Sequence, residues 1–315
     1  MIAEEGLGNP DKTAVLLLAH GSPDSVDEVP EFLLRVTGGR PLPQPVVDEV
    51  KHRYSLIGCS PLTELTLKQA ELLARELGLP VYVGMRNWKP FVADAVSAMT
   101  SNGIDHVVVI CLAPQNSRTS VGLYRSALSD NQLSFTVDFV DSWHDHPLLV
   151  KAFAEKLRSG LDRARREAGT QNIPIIFTAH SVPERTIAEG DPYESQAKET
   201  ASAVASEARL DPDEWSFAFQ SQGMSGGAWL GPRVEDAILG LKQKGHRDVF
   251  IQPIGFLCDH VEVLYDIDIG FKQFAEQQGM RLWRAESLND SRLLASALAD
   301  ITRSRLARIP VANKK

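Results

Sequence analysis

The sequence predicts an α/β protein in two similar halves, each with its own parallel sheet. Three observations carry this: short β-branched strands alternate with amphipathic helices, motifs recur in the two halves, and the chain has 315 residues. A single core rarely keeps growing beyond roughly 250–300 residues, so a chain of this length is expected to divide. Strands buried on both faces read as short apolar runs, and intervening helices make them parallel.

In the first half the elements run AVLLLAH, a helix over 29–34, a helix over 64–77, VYVGM, a helix over 91–99, VVVICLAP, a helix over 124–128, and FTVDFVDSW. The second half follows with PIIFTAH, a helix over 194–208, WSFAFQSQG, a helix over 234–243, DVFIQPIGF, a helix over 263–274, and MRLWRAESL. Each half therefore supplies four strands. Boundaries are placed at 1–150 and 151–315, with the last helix expected to pack back on the first domain.

The halves also echo each other residue by residue. His20 ends the first strand as His180 ends its counterpart, an offset of 160, while Pro90, Gly103 and Val107 match Pro232, Gly245 and Val249 at an offset of 142. A pseudo-duplicated pair of Rossmann-like domains with parallel four-stranded sheets, separated by one gap in the repeat, accounts for both offsets. In such sheets ligands bind beyond the carboxyl ends of the strands. That rule brings His20, His180 and the stretch FLCDHVEVLYDID to one rim.

Composition removes several function classes. A net charge of −8 argues against a protein held to nucleic acid by phosphate contacts. Cys59, Cys111 and Cys258 have no CxxC spacing, so neither a disulfide framework nor a thiolate zinc site is indicated, and a reducing cytoplasm suits them. The N-terminus is polar and acidic, and nowhere do about 18 apolar residues run uninterrupted, so no export signal or transmembrane segment is expected. Neither GxGxxG nor GxxxxGK[ST] follows a strand, which lowers the case for a dinucleotide enzyme or kinase.

The chemistry gathers in FLCDHVEVLYDID. Asp259 could simply cap a helix whose exposed face carries the remaining charges. Yet His180 and the pair His260 and Glu262 all lie at strand ends, so imidazole and carboxylate can converge from separate loops. One imidazole with carboxylate oxygens suits a borderline divalent ion such as Fe²⁺ or Zn²⁺, with positions left open for exchange. Asp266 lies four residues beyond Glu262 and would share its helical face, whereas Asp268 would face away.

Three long motifs, FTAHSVPERTIAEGDPY, FQSQGMSGGAWLGPRVED and IGFLCDHVEVLYDID, resemble those of the ferrochelatases, which insert ferrous iron into a porphyrin in haem synthesis. The similarity spans nearly the whole chain. It implies a porphyrin cleft between the two domains, His180 and Glu262 as metal ligands and catalytic groups, and Asp266 as a proton relay. It also implies porphyrin-side positions at His20, Arg53, Tyr54, Ser60 and Tyr124. The segment APQNSRTSVGLY resembles the bacterial branch that uses coproporphyrin III more than the protoporphyrin IX branch. Fe²⁺ would be substrate rather than prosthetic group, no iron–sulfur cluster is expected, and a partner enzyme of the haem pathway would follow from the resemblance.

Three departures qualify it. The strand-end segment is AHGSP where coproporphyrin enzymes commonly have AYGTP, so His20 replaces a tyrosine that faces the product metal. Thr37 stands where the family often has an arginine, leaving Arg40 nearby. Gly270 occupies the position of a third helix carboxylate. Arg53, with Arg40 or Arg118, would pair with propionates as guanidinium groups do with carboxylates. Which of His180 and Glu262 delivers metal and which takes protons stays open. Two other readings remain: a cobalt or nickel chelatase acting on sirohydrochlorin, and a non-catalytic module that binds haem or metal.

Overall fold

A computed structural model describes residues 12–223 and 227–308. The acidic N-terminal segment and the centre of FQSQGMSGGAWLGPRVED fall partly outside them. The first sheet is formed by β1 (Thr13–Ala19), β2 (Val81–Met85), β3 (His106–Cys111) and β4 (Thr136–Val140), in the order β2-β1-β3-β4. The second has β5 (Ile175–His180), β6 (Trp215–Gln220), β7 (Asp248–Pro253) and β8 (Arg281–Arg284), in the order β6-β5-β7-β8. All pairings are parallel. The two orders are the same permutation, which is the duplication expressed as topology.

Individual hydrogen bonds repeat as well. The N–H of Leu112 donates to Leu18 O at 2.8 Å, and that of Ile254 donates to Thr178 O at 2.8 Å. Likewise Met85 N–H reaches Pro90 O at 2.7 Å and Phe219 N–H reaches Pro232 O at 2.8 Å. The first pair carries both offsets of the repeat at once.

Helices cover the sheets. The first half contributes α1 (Val29–Val36), α2 (Gln44–Ile57), α3 (Leu62–Leu77), α4 (Val92–Ser101) and α5 (Val121–Ser129). Then come α6 (Pro147–Ala168), α7 (Glu184–Ala188), α8 (Tyr193–Ala208), α9 (Val234–Gln243), α10 (Val261–Leu264), α11 (Lys272–Gln277) and α12 (Arg292–Leu306). A π-helical turn over Asp266–Phe271 joins α10 to α11, where the sequence suggested one continuous helix. Its bond from Gly270 N–H to Tyr265 O at 2.8 Å skips five residues and defines the wider turn.

The sequence reading omits α2, α6 and α7. Pro147 begins α6 and Gly169, left-handed at φ 71°, ends it, the asymmetry that opens and stops helices. This helix runs through the boundary placed at residue 150. Leu149, Phe153, Leu157 and Leu161 of α6 share one apolar core with Val15 and Leu17 of β1, Phe177 of β5 and Leu294 and Leu298 of α12. α12 lies against α3 as well as α6, and Arg305 reaches Asp138 of β4 at 3.1 Å. The C-terminal helix thus fastens the halves together.

A second clasp uses the segment after β3. Gln115 Nε2 donates to Thr200 Oγ1 at 3.1 Å and Ile254 O at 3.2 Å, and Asn116 N–H donates to Gln196 Oε1 at 2.6 Å. Arg118 donates to Thr186 O at 3.1 Å and pairs with Glu189. In the structure this guanidinium joins the two halves. No helix among the described residues is long and apolar enough to cross a membrane, and the three cysteines are free thiols.

Candidate active site

Two close backbone approaches shape the rim. Gly21, with φ 85°, follows His20, and a Cβ there would lie 2.8 Å from Trp88 N. Only glycine suits both the left-handed backbone and the contact. At Gly255 a Cβ would come within 3.0 Å of Ala179 Cα, so the chain leaving β7 can run directly against the end of β5. That path delivers the 256–268 stretch to His180.

His180 and His260 hold Glu262 between them. His180 Nε2 lies 3.5 Å from Glu262 Oε1, and His260 Nε2 lies 3.5 Å from Oε2. The other ring nitrogens are also engaged: His180 Nδ1 bonds Ser181 O, and His260 Nδ1 bonds Cys258 O at 2.9 Å. A carbonyl only accepts, so Nδ1 carries the proton in both rings and Nε2 is the atom presented to the carboxylate. Phe256 stacks edge-on to both imidazoles, at centroid distances of 6.4 and 4.7 Å.

The framework behind this cluster is buried. Gln220 accepts from Thr178 Oγ1 at 2.7 Å and donates to the backbone carbonyl of Glu262 at 2.9 Å. Tyr193 donates to His180 O at 3.0 Å. Asp259 does not cap α10; His260 occupies that position. Instead the Asp259 carboxylate accepts from Ser287 Oγ at 2.7 Å, Asn289 Nδ2 at 2.9 Å and Arg284 Nη1 at 3.4 Å. Gln69 of the first half reaches the same turn, donating to Cys258 Sγ at 2.9 Å and Asn289 O at 2.6 Å.

Burial opposes the charge of both Glu262 and His180, but their mutual attraction and hydrogen bonding outweigh it. Glu262, with His260 adding to the effect, is held well below the ordinary carboxylate range, and the pKa of His180 is raised. Asp266 moves the other way: burial raises its pKa, partly offset by the hydrogen bond from Ser221. Arg53 lies 3.8 Å from Asp266 Oδ1, its guanidinium 5.0 Å from the Tyr265 ring centre and 2.9 Å from Glu49. Asp268 turns away from the cluster and takes two bonds from Arg284, at 2.7 and 2.8 Å.

His20 faces the cluster from the first half and is open to solvent. The protein around it lowers its pKa, offset in part by its bond to Gly21 O at 3.0 Å and by Glu262 across the cleft; Arg86 adds to the lowering. The other positions implied by the resemblance are less accessible. Tyr54 is buried with its hydroxyl 3.1 Å from Ser22 Oγ, and burial pushes its pKa up to about 12. Ser60 is buried before α3, its Oγ 3.5 Å from Leu62 N–H. Tyr124 is buried on α5, which raises its pKa.

The geometry thus unites His180, Glu262 and Asp266 with His20 opposite and Arg53 at the edge. It makes His260 an equal partner of His180, a role that the sequence reading left unassigned although it noted the residue's strand-end position. Ser221 was also unassigned, though it directly follows β6 and the strand-end rule would have found it. Among the described residues no three His, Cys, Asp or Glu side chains form a group that could hold a metal ion. The cluster around Glu262 is an ion-pair arrangement rather than a closed coordination shell.

The chain is similar to several known proteins. Residues 12–306 match the family model described as ferrochelatase. A protein of Acidobacterium capsulatum named ferrochelatase is 53% identical over 95% of this chain and 96% of its own length. A coproporphyrin III ferrochelatase of Geobacillus thermodenitrificans is 35% identical over 93% of this chain and 96% of its own length. Among solved structures, the sirohydrochlorin chelatase SirB of Bacillus subtilis subspecies spizizenii, in complex with cobalt, superposes with a TM-score of 0.59 at 10% identity, covering 94% of this chain and 96% of that one. That likeness concerns the fold.

Proposed function

Since this chain belongs to the ferrochelatase family and is an enzyme that inserts metal into a porphyrin, we propose that its porphyrin is coproporphyrin III and its metal Fe²⁺. The observation that carries the site assignment is Glu262 gripped through both oxygens by His180 and His260, on a rim that faces His20. Relatives named coproporphyrin III ferrochelatase, 35% identical to this chain, support the substrate. So do the guanidinium of Arg53 at the cleft edge and that of Arg40, which among the described residues makes one long bond, at 3.4 Å to Thr37 O.

Insertion exchanges one ion for two protons: Fe²⁺ enters the ring and both pyrrolic N–H protons leave. Glu262 and His180 are the groups placed to take those protons or pass the ion. A carboxylate that stays ionised can attract a cation, and an imidazole in its neutral form can accept a proton. Asp266 lies on the next turn, and its raised pKa suits a group that receives and releases protons. Arg53 beside it would meet substrate carboxylates as they arrive.

Anaerobic incubation with Fe²⁺ and, separately, coproporphyrin III, protoporphyrin IX and sirohydrochlorin tests the reading, followed by the change from the four-banded free-base spectrum to the metallated one. The expected result is the highest kcat/KM with coproporphyrin III and its abolition in His180→Ala and Glu262→Ala. A ranking that puts protoporphyrin IX first would overturn the substrate. Near-normal turnover in His180→Ala would remove that residue from the chemistry.

A further inference from the structure

His260, Glu262 and Asp266 all lie between Asp259 and Asp268, on a segment with little regular structure of its own. Helix α10 is four residues long and the turn after it is π-helical. A single helical turn fixes several dihedrals for very few hydrogen bonds, so such a segment keeps its place only through contacts made elsewhere.

Arg284 supplies a contact at each end. Its Nε and Nη2 donate to the two oxygens of Asp268 at 2.7 and 2.8 Å, and its Nη1 donates to Asp259 Oδ1 at 3.4 Å and Ala285 O at 2.9 Å. The side chain is 14% exposed and all three of its nitrogens are engaged, so it is not a cation waiting for a substrate anion. It is carried on a rigid element: Arg284 ends β8, paired with Ile251 of β7, and the next N–H, that of Ala285, donates to Ile251 O at 3.0 Å. The same bonds sort the carboxylates of the segment. Arg284 takes Asp259 and Asp268, which leaves Glu262 to the two histidines and Asp266 facing Ser221 and Arg53. One residue can do this because a guanidinium grips one carboxylate through two nitrogens and still has a third to offer another.

We propose that Arg284 is a positioning residue for metal insertion: by tying Asp259 and Asp268 to the end of β8, it holds His260, Glu262 and Asp266 in place beside His180. The inference rests on the reading of Glu262, His180 and Asp266 as the reacting groups. It adds a residue that touches neither porphyrin nor metal and acts through both ends of the segment that does.

Insertion rates test it, with whichever porphyrin the wild type metallates fastest and below the melting transition of each variant. Arg284→Gln should lower kcat about 10- to 100-fold, the cost of displacing reacting groups by about 1 Å, while KM for the porphyrin moves by less than about twofold. It should also melt below the wild type, because two carboxylates lose their cation. Adding Asp268→Asn should restore part of the melting temperature, since an unpaired charge is gone, but not kcat, since the two ends are still untied. Arg284→Lys keeps the charge but bonds as a point rather than a fork, so it should recover stability more fully than kcat. If Arg284→Gln does not fold, Arg284→Lys and Asp268→Asn alone carry the comparison, each with kcat lowered and KM unchanged. A kcat within about twofold of wild type, a kcat that recovers in step with the melting temperature, or a loss confined to KM would each overturn the proposal. Near-normal turnover in Glu262→Ala would instead overturn the reading of the site on which the proposal rests, and the preference among porphyrins bears on neither.

Discussion

Replacing Asn289 tests whether the turn behind the active site positions Glu262. Asn289 accepts from Asp259 N–H at 2.9 Å and donates to Asp259 Oδ2 at 2.9 Å, so one side chain closes a two-bond ring with the residue before His260. Its backbone has φ 48°, a left-handed conformation that costs most residues about 1–2 kcal/mol. Asn289→Ala loses a neutral bond of about 1 kcal/mol and one to a charged group of about 1.5–3 kcal/mol, and adds the backbone cost, for about 4 kcal/mol in all. Asn289→Gly loses the bonds alone and should cost about 1 kcal/mol less. With an unfolding entropy of about 2.1 cal/mol/K per residue, 4 kcal/mol lowers Tm by about 6 °C for a chain of this size. Scanning calorimetry measures it, and insertion assays below the transition should show kcat reduced by up to about 100-fold, since a 1 Å displacement of a reacting group costs that much. An alanine variant that melts with the wild type, or a glycine variant no more stable than the alanine one, would refute the energetic argument. Unchanged kcat in a destabilised variant would refute the positioning.

Two further outcomes follow from the charges. The raised pKa of His180 means that its stabilisation is complete below its ordinary value of 6.5 and is lost as pH rises through the folded value. The depressed pKa of Glu262 means that its stabilisation is present above 4.5 and is lost as pH falls through the folded value. The stability difference between wild type and Glu262→Gln should therefore be greatest between those two pH values in urea titrations, and a difference independent of pH would dissolve the pair. For His20, an imidazole ligand gives low-spin haem iron more readily than a phenolate does. The product complex should lose a low-spin resonance Raman signature in His20→Ala, and an unchanged spectrum would remove His20 from the iron.

How legible each part was depends on what buried it. The central strands β1, β3, β5 and β7 are buried along almost their whole length and stand out in the sequence as apolar runs, and β5 and β7 of the site fall where expected. Helix α2 shows only Tyr54 fully buried, so its apolar face is too weak to announce a helix. Helix α6 does carry its signal: it packs against α8, α12, β7 and β8, and its buried Leu149, Phe153, Leu157, Gly160 and Ala164 recur at helical spacing as one apolar stripe. The π-turn has no compositional signal, and it separates Asp266 from Asp268 by tertiary contacts to Ser221, Arg53 and Arg284. Those partners come from three other segments. Pairings such as Gln69 with Asn289, 220 residues apart, are not visible to local patterns at all.

The duplication gives each half a histidine at the end of its first strand, and the surroundings then make the two unlike. Both rings bond the carbonyl of the following residue through Nδ1, so both present Nε2 to the cleft. His180 meets Glu262 in its own half and keeps its proton more readily than a free imidazole. His20 has its bond to Gly21 O and the distant Glu262 to favour its charge, while the protein around it and Arg86 oppose it more strongly. One face of the cleft is therefore lined by a carboxylate and an imidazole that holds its proton more readily, and the other by an imidazole that gives its proton up more readily. A ring that must lose two protons and gain a dication is served by such inequality, because proton acceptance and metal coordination ask for different states of the same side chain. A symmetric pair would have supplied two identical groups competing for one role, and the carboxylate placed in only one half is what breaks the symmetry.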